Sequence, residues 1–285
     1  MNAVPGADAI AVYGSTARGD KDELSDLDLL LIGPNRQRLQ DSSVQLGSKG
    51  WCPTIYTWLE LESAVKRESL FVQHLRRDSV IIRDKDDHLR HLLAISQQRS
   101  SYAWERQQAL NLFSAIEHIP HVPWGGAWAL DVTFVAFRSF AVAFLADEDL
   151  VTFSIGEIIS HMCRCGLLRH EDSYGLAQLR AWKKWYRDGA TWSPPLSQVQ
   201  ELIDTIDRRL RIGIHIQRTD QETFSAWAVA QAGTGDHWYR SARLWEAFLQ
   251  INGTTEDNRV LEMLRLPQIY GRSLVRHLDY IAAAA

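Results

Sequence analysis

The sequence predicts an α+β protein, with a mixed sheet and helices in its N-terminal third and an all-α bundle after it. Two observations carry this prediction. Short apolar runs alternate with helix-patterned stretches as far as Asp84, as expected where strands and helices share one core. Beyond Asp84 the strand-like period disappears and apolar residues recur at three- and four-residue spacing. At 285 residues the chain is long enough for two domains, at about 150 residues each. We place them at 1–95 and 96–285.

The elements run in this order. Ala9-Ile10-Ala11-Val12-Tyr13 reads as a buried strand ended by Gly14, with Ser15 where a helix N-cap would sit. Leu27 to Ile32 is a second strand, closed by Gly33-Pro34, and a weaker third lies around Thr54 to Trp58. Glu60 to Arg77 reads as one helix, with Leu61, Val65, Leu70, Phe71 and Leu75 on its apolar face. Val80-Ile81-Ile82 is a fourth strand. Leu89 to Ile119 reads helical, with a break at Ser100-Ser101, then a Pro-Gly loop from Pro120 to Gly126. Further helices are expected at Ala127 to Leu145, Ser154 to Cys165, Tyr174 to Arg187, Leu196 to Ile216, Ala226 to Ala232 and Trp238 to Gln250. Arg259 to Leu266 and Leu274 to Ala283 complete the series, and the part after about residue 220 reads as a C-terminal helical hairpin.

Composition excludes several classes. Hydrophobic residues make up 46% and charged residues 23%, the balance of a globular protein and not of a disordered or fibrous one. Three cysteines do not make a secreted disulfide framework, and they fit a reducing cytoplasm. Met1 to Pro5 carries no basic, then apolar, leader pattern. Ala127 to Ala146 is apolar enough to suggest a membrane span but contains Asp131 and Arg138, so we expect no membrane. The net charge is −4. Residues 1–95 hold 12 basic and 14 acidic side chains and the remainder 19 and 21, so no basic domain favours nucleic acid.

The informative stretch is Gly14-Ser15, ten residues, then Asp26-Leu27-Asp28. Two acids two apart on a strand project from one face, and two hard anionic ligands suit Mg²⁺ carrying nucleotide phosphates. Leu27 and Leu29 then face the opposite, buried side. Gly14 lets the chain turn close beside a triphosphate, and Ser15 with the next N–H groups opens a helix where an anion is stabilised. Arg18 lies one turn later, within reach of the same phosphates.

The residues Gly14-Ser15-Thr16-Ala17-Arg18-Gly19-Asp20 and Ser25-Asp26-Leu27-Asp28-Leu29-Leu30 resemble the polymerase-β-type nucleotidyltransferase superfamily, especially its minimal branch. The resemblance extends to the strand, helix and strand pattern of Tyr56 to Asp84. It implies a nucleotidyltransferase-like mixed sheet, triphosphate binding by Gly14 and Ser15, and catalytic metal binding by Asp26 and Asp28. The helical remainder broadly resembles the bundles that accompany such domains in antibiotic nucleotidyltransferases and in the HEPN class. Members with the full catalytic set carry a third carboxylate on the next strand. Here that strand, Trp51 to Trp58, has no acid, and Thr54 is its nearest polar residue. Three readings stay open: an acid such as Glu157 or Asp131 substitutes, one metal suffices, or the site only binds.

The expected activity is transfer of a nucleoside monophosphate, AMP from ATP, to a hydroxyl acceptor with Mg²⁺ or Mn²⁺ and release of pyrophosphate. A small molecule or a protein fits the charge better as acceptor than RNA. The alternative is a non-catalytic nucleotide- or partner-binding protein of regulatory or toxin–antitoxin type. Other signals are weaker. His161, Cys163 and Cys165 do not share a helix face, so half-buried thiols are expected there and not zinc. Arg180, Lys183, Lys184 and Arg187 form a basic stripe, which reads as a solvated face or an anion site. Arg208, Arg209 and Arg211 with His215 are similar to the HEPN Arg–His pair and read as surface charge, while His237 to Arg240 has no mechanism attached. Neither a Gly-x-Ser-x-Gly elbow nor a Walker or Gly-x-Gly-x-x-Gly loop occurs.

Overall fold

The computed structural model describes residues 4–189, 192–232 and 238–253, with the side chain of Trp238 left out. They divide into two compact units. One comprises the described residues of Met1–Tyr102 with Ala146–Ser154, and the other those of Ala103–Leu145 and Ile155–Ala285.

The first unit is built on a four-stranded sheet: β1 (Ala9–Tyr13), β2 (Asp28–Gly33), β3 (Cys52–Thr57) and β4 (Ser79–Asp84), in spatial order β3-β2-β1-β4. β1 runs antiparallel to both β2 and β4, and β2 runs parallel to β3. The sheet is therefore mixed, as expected. β1 and β2 are covered on both faces, which is why their sequences are continuous apolar runs. Ala9, Ala11, Tyr13, Leu30 and Ile32 pack on one face against Leu61, Val72, Leu75 and Leu89. Ile10, Val12, Leu29 and Leu31 pack on the other face against Leu39 and Leu46. β3 is an edge strand and tolerates Pro53, which explains its weak signature.

Helices complete this unit. A single turn, α1 (Ser15–Arg18), succeeds β1, and α2 (Arg36–Gly47) crosses from β2 to β3. The sequence pattern marks no element at α2, because only Leu39 and Leu46 define its apolar side amid polar residues. Its start is well specified: the Asn35 side chain accepts the Arg38 N–H at 3.1 Å. The single helix expected from Glu60 to Arg77 is two helices, α3 (Trp58–Lys66) and α4 (Leu70–Asp78). Glu68 takes φ +52 between them and Ser69 caps the second, so the chain turns although its apolar period continues. A capping box of Thr57 and Glu60 opens α3. α5 (His88–Ile95) is held at its start by the Asp84 carboxylate, which accepts the Leu89 and Arg90 N–H groups.

The second unit is predominantly helical: α6 (Ala103–Leu112), α7 (Gly125–Asp147, whose last two residues belong to the first unit), α8 (Ile155–Arg164), α9 (Asp172–Arg187), α10 (Leu196–Leu210), α11 (Gln221–Ala232) and α12 (Trp238–Asn252). It also contains a small parallel ladder that the sequence pattern does not predict, β5 (His118–Pro120) beside β6 (Gln217–Thr219). Three residues each are too few to show a period. The helices expected at 259–266 and 274–283 lie outside the described residues.

By length and composition α7 is the one helix among the described residues apolar enough to cross a membrane, and 72% of its most apolar window is buried in the fold. At its start a β-carbon on Gly125 would lie 2.2 Å from the Pro120 carbonyl oxygen, so only glycine lets the loop pass. Asp131 explains the charge inside this helix. It is fully buried, accepts from Arg187 Nε at 3.0 Å and pairs with the buried Arg243. Arg243 also faces Glu246 at 2.8 Å, and Glu246 accepts from the Tyr186 hydroxyl at 2.8 Å. Two cations and two anions thus meet inside the bundle. Burial, then the Glu246 charge, pushes the Tyr186 hydroxyl well up, and burial raises the Glu246 carboxyl.

Candidate active site

β1 delivers the chain to Gly14, which is buried at φ +71 and ψ −149. Its N–H donates to the Asp78 carbonyl at 3.0 Å. α1 then forms one turn, closed by Arg18 N–H on the Gly14 carbonyl and Gly19 N–H on Ser15, each at 3.0 Å. Ser15 is therefore the first helical residue and Gly14 the N-cap, without a side-chain cap bond. This corrects the expectation that Ser15 caps the helix. A single turn aligns few peptide dipoles, so its offer to an anion is N–H groups set in place more than a macrodipole. Thr16 Oγ1 is buried in the same turn with no hydrogen-bond partner among the described residues.

Asp28 is the first residue of β2 and is half-buried. A β-carbon on Gly14 would lie 2.9 Å from its Oδ2, so the turn and this carboxylate meet directly. Asp26 is also half-buried but precedes the strand. Strand alternation consequently places Asp28 alone, and the expected shared strand face does not describe Asp26. Leu29 is fully buried as expected, and Leu27 is half-buried outside the strand. Ahead of them Asp22 Oδ1 accepts from the Leu24 N–H and the Ser25 hydroxyl, folding the approach into a turn.

On β3, Cys52 stands opposite Asp28 and Thr54 opposite Leu30. Thr54 Oγ1 lies 2.8 Å from the Tyr13 hydroxyl. Burial, and next the Asp28 charge, pushes that hydroxyl far above its ordinary range, so it stays neutral. β3 supplies no acid. Both acids named from sequence as substitutes lie in the helical unit. Asp131 is committed to Arg187 and Arg243 inside the helical unit, and Glu157 is exposed in the first turn of α8.

Arg18 is held by two acids through three nitrogens. Its Nη1 lies 2.9 Å from Asp78 Oδ2, and its Nε and Nη2 lie 3.2 and 3.1 Å from the Asp20 carboxylate. Asp20 Oδ2 also accepts the Ser154 hydroxyl at 3.1 Å. Sequence reasoning missed two residues here, His74 and Asp78. They lie four apart on α4, with His74 Nε2 3.5 Å from Asp78 Oδ2. The imidazole stacks on Phe153 at 4.2 Å and meets the Tyr13 ring edge-on at 5.4 Å. Its Nε2 lies 3.9 Å from the β-carbon position of Gly14. A polar pair on an otherwise apolar helix face was the available signal.

The remaining candidates belong to the second unit. In the basic stripe Arg187 serves the buried ion network and Lys184 pairs with Asp188. Arg209 binds Asp172 through Nε and Nη2 at 2.7 and 3.1 Å, and Arg208 Nε donates to the Asp204 carbonyl. Cys163 is half-buried and Cys165 exposed, both as free thiols. His237 lies outside the described residues, and Arg240 binds Gln231. Among the described residues no three His, Cys, Asp or Glu side chains are grouped to hold a metal ion.

Residues 4–87 match the family model described as nucleotidyltransferase domain. The match contains the Gly14 turn, both acids, the four strands and α4. The chain therefore carries a nucleotidyltransferase domain in its N-terminal part, succeeded by a largely helical region. No curated protein and no solved structure matches the chain.

Proposed function

We propose that this domain transfers AMP from ATP to a hydroxyl acceptor and releases pyrophosphate. Transfer of a nucleoside monophosphate from an NTP is the general chemistry of the family, and the base and acceptor are our reading. The observation that carries it is the contact between the Gly14 turn and the Asp28 carboxylate, 2.9 Å from the β-carbon position. It puts N–H donors for phosphate beside an acid suited to a cation.

Asp26 and Asp28 would hold Mg²⁺ or Mn²⁺. Two half-buried carboxylates fit Mg²⁺, which takes one or two acids and fills its other positions with water and substrate phosphates. When bound, the metal neutralises charge on the triphosphate and polarises the α-phosphate. Gly14 admits the triphosphate without a side chain in the way, and the α1 N–H groups hold its β- and γ-oxygens. Arg18 adds a cation to the same phosphates, so charge growing on the leaving pyrophosphate meets fixed donors. Asp28, the residue in contact with the turn, would place the metal's charge beside that cradle.

We assign residues 1–95 to transfer and 96–285 to acceptor or partner recognition. A small molecule or a protein is the acceptor class that suits the −4 net charge, and three cysteines suit the cytoplasm. The test is calorimetric titration of ATP, GTP, CTP and UTP, with and without Mg²⁺, into wild type and the Asp26→Ala/Asp28→Ala variant. ATP binding that needs both the metal and the acids supports the assignment, and metal-dependent binding retained in the variant rejects it.

A second reading, binding without catalysis, is favoured by one feature. The positions opposite Asp28 and Leu30 are Cys52 and Thr54, so β3 offers no further carboxylate as a hard metal ligand or base. Nucleotide turnover with Mg²⁺ or Mn²⁺ and an added hydroxyl acceptor excludes this reading.

A further inference from the structure

We infer that Asp78 is a positioning residue for the nucleotide: it holds Arg18 and the Gly14 turn in the arrangement that receives a triphosphate. This rests on the nucleotide-binding reading above.

Asp78 is an unfavourable acid taken alone. It ends α4, where carbonyl groups already carry partial negative charge, and its side chain is only 3% exposed. A carboxylate in that place requires cations around it. Arg18 Nη1 supplies one at 2.9 Å, Arg77 Nε lies at 3.7 Å, and His74 Nε2 faces the same carboxylate at 3.5 Å. The Asp78 carbonyl meanwhile accepts the Gly14 N–H at 3.0 Å. One residue therefore fixes both ends of the Gly14–Arg18 turn, its first N–H and its last side chain.

Asp20 grips the other edge of the guanidinium through Nε and Nη2. Clamped between two acids, Arg18 stays 21% exposed in a single orientation. A cation ordered before the ligand arrives loses less freedom on binding, which is the benefit of preorganisation. The pairing joins residues sixty apart. It arises because β4, which begins directly after Asp78, pairs with β1, which leads into Gly14.

The test is a double-mutant cycle on binding. Wild type, Asp78→Asn, Asp78→Ala, Arg18→Ala and Arg18→Ala/Asp78→Ala are titrated with ATP and with inorganic tripolyphosphate in Mg²⁺. Asp78→Ala is expected to weaken both ligands about tenfold, with Asp78→Asn between it and wild type. In the Arg18→Ala background the Asp78→Ala loss should vanish, because Asp78 acts through Arg18. A purely structural role gives equal losses in both backgrounds and overturns the inference, as does unchanged affinity in Asp78→Asn and Asp78→Ala. If Asp78→Ala does not fold, the cycle is run with Asp78→Asn, which keeps the shape and an acceptor. Wild type that binds neither ligand overturns the nucleotide-binding reading itself, an outcome visible before any variant is compared.

Discussion

Gly14 and Asp28 meet so closely that a β-carbon on the first would lie 2.9 Å from Oδ2 of the second. Glycine is required here twice over, for space and for backbone. At φ +71 and ψ −149 a side chain is strained whatever surrounds it. Gly14→Ala should lose roughly 1–3 kcal/mol of stability through strain and also lose metal-dependent nucleotide affinity. Urea unfolding and then calorimetry read both, and an Ala variant with wild-type ATP affinity would remove Gly14 from the site.

Asp26 and Asp28 are half-buried, and neither anchors the core. The double Ala variant is expected to melt within a few degrees of wild type while losing Mg²⁺-dependent ATP binding. Thermal melting with and without ATP and Mg²⁺ checks this, because ligand-induced stabilisation should be present only in wild type.

Thr54 is the nearest polar residue on a strand that carries no acid, and its hydroxyl is engaged with Tyr13 at 2.8 Å. We expect Thr54→Val and Tyr13→Phe each to cost about 1 kcal/mol and to leave Mn²⁺ affinity unchanged. Unfolding curves and Mn²⁺ titration by electron paramagnetic resonance separate the two effects. A fall in Mn²⁺ affinity in Thr54→Val would make Thr54 a metal ligand instead.

The ion network around Asp131 should behave as an all-or-none feature. Asp131→Ala leaves Arg243, only 1% exposed, beside a missing partner. Breaking a buried pair on one side typically costs about 3–5 kcal/mol. Denaturant unfolding of Asp131→Ala against Asp131→Asn measures it, and a loss of less than about 1 kcal/mol, the worth of an ordinary exposed pair, would show the network to be dispensable.

Asp172 carries a pH dependence whose sign is set by its surroundings. Burial acts to raise its carboxyl, but hydrogen bonds from Arg209 and the Arg169 N–H outweigh it and hold the group below the ordinary value of 3.8. A lowered folded value means the contribution is complete above the ordinary value and is lost as pH falls through the lower, folded value. Acid unfolding should therefore be shallower at that end in Asp172→Asn than in wild type. Identical acid limbs would remove Asp172 from the linkage.

Much of the first unit was legible in the residues. β1 and β2 are short apolar runs bounded by glycine, and both occur where the pattern puts them, within a residue at each end. Gly14, Ser15, Arg18, Asp26 and Asp28 stand out as a spacing because the first three share one turn and Asp28 opens the next strand, with Asp26 just before it. α2 was not legible, since two leucines in twelve residues give no period. The break at Glu68 was hidden because α3 and α4 press against the same face of the sheet, so one apolar rhythm runs through both. β5 and β6 pair across a hundred residues and carry no local signal.

Local sequence is enough to set the sheet strands, the glycine turn, the acids and the helical character of the chain beyond Asp84. These depend on periodicity and on backbone freedom, which neighbouring residues control. Folding in three dimensions is what brings Asp78 and His74 to the Gly14 turn, sets Thr54 against Tyr13 and neutralises Asp131 within the bundle. Each is a pairing of polar groups far apart in the chain. Strand order and helix packing bring them together, and a buried charge without such a partner would not be tolerated.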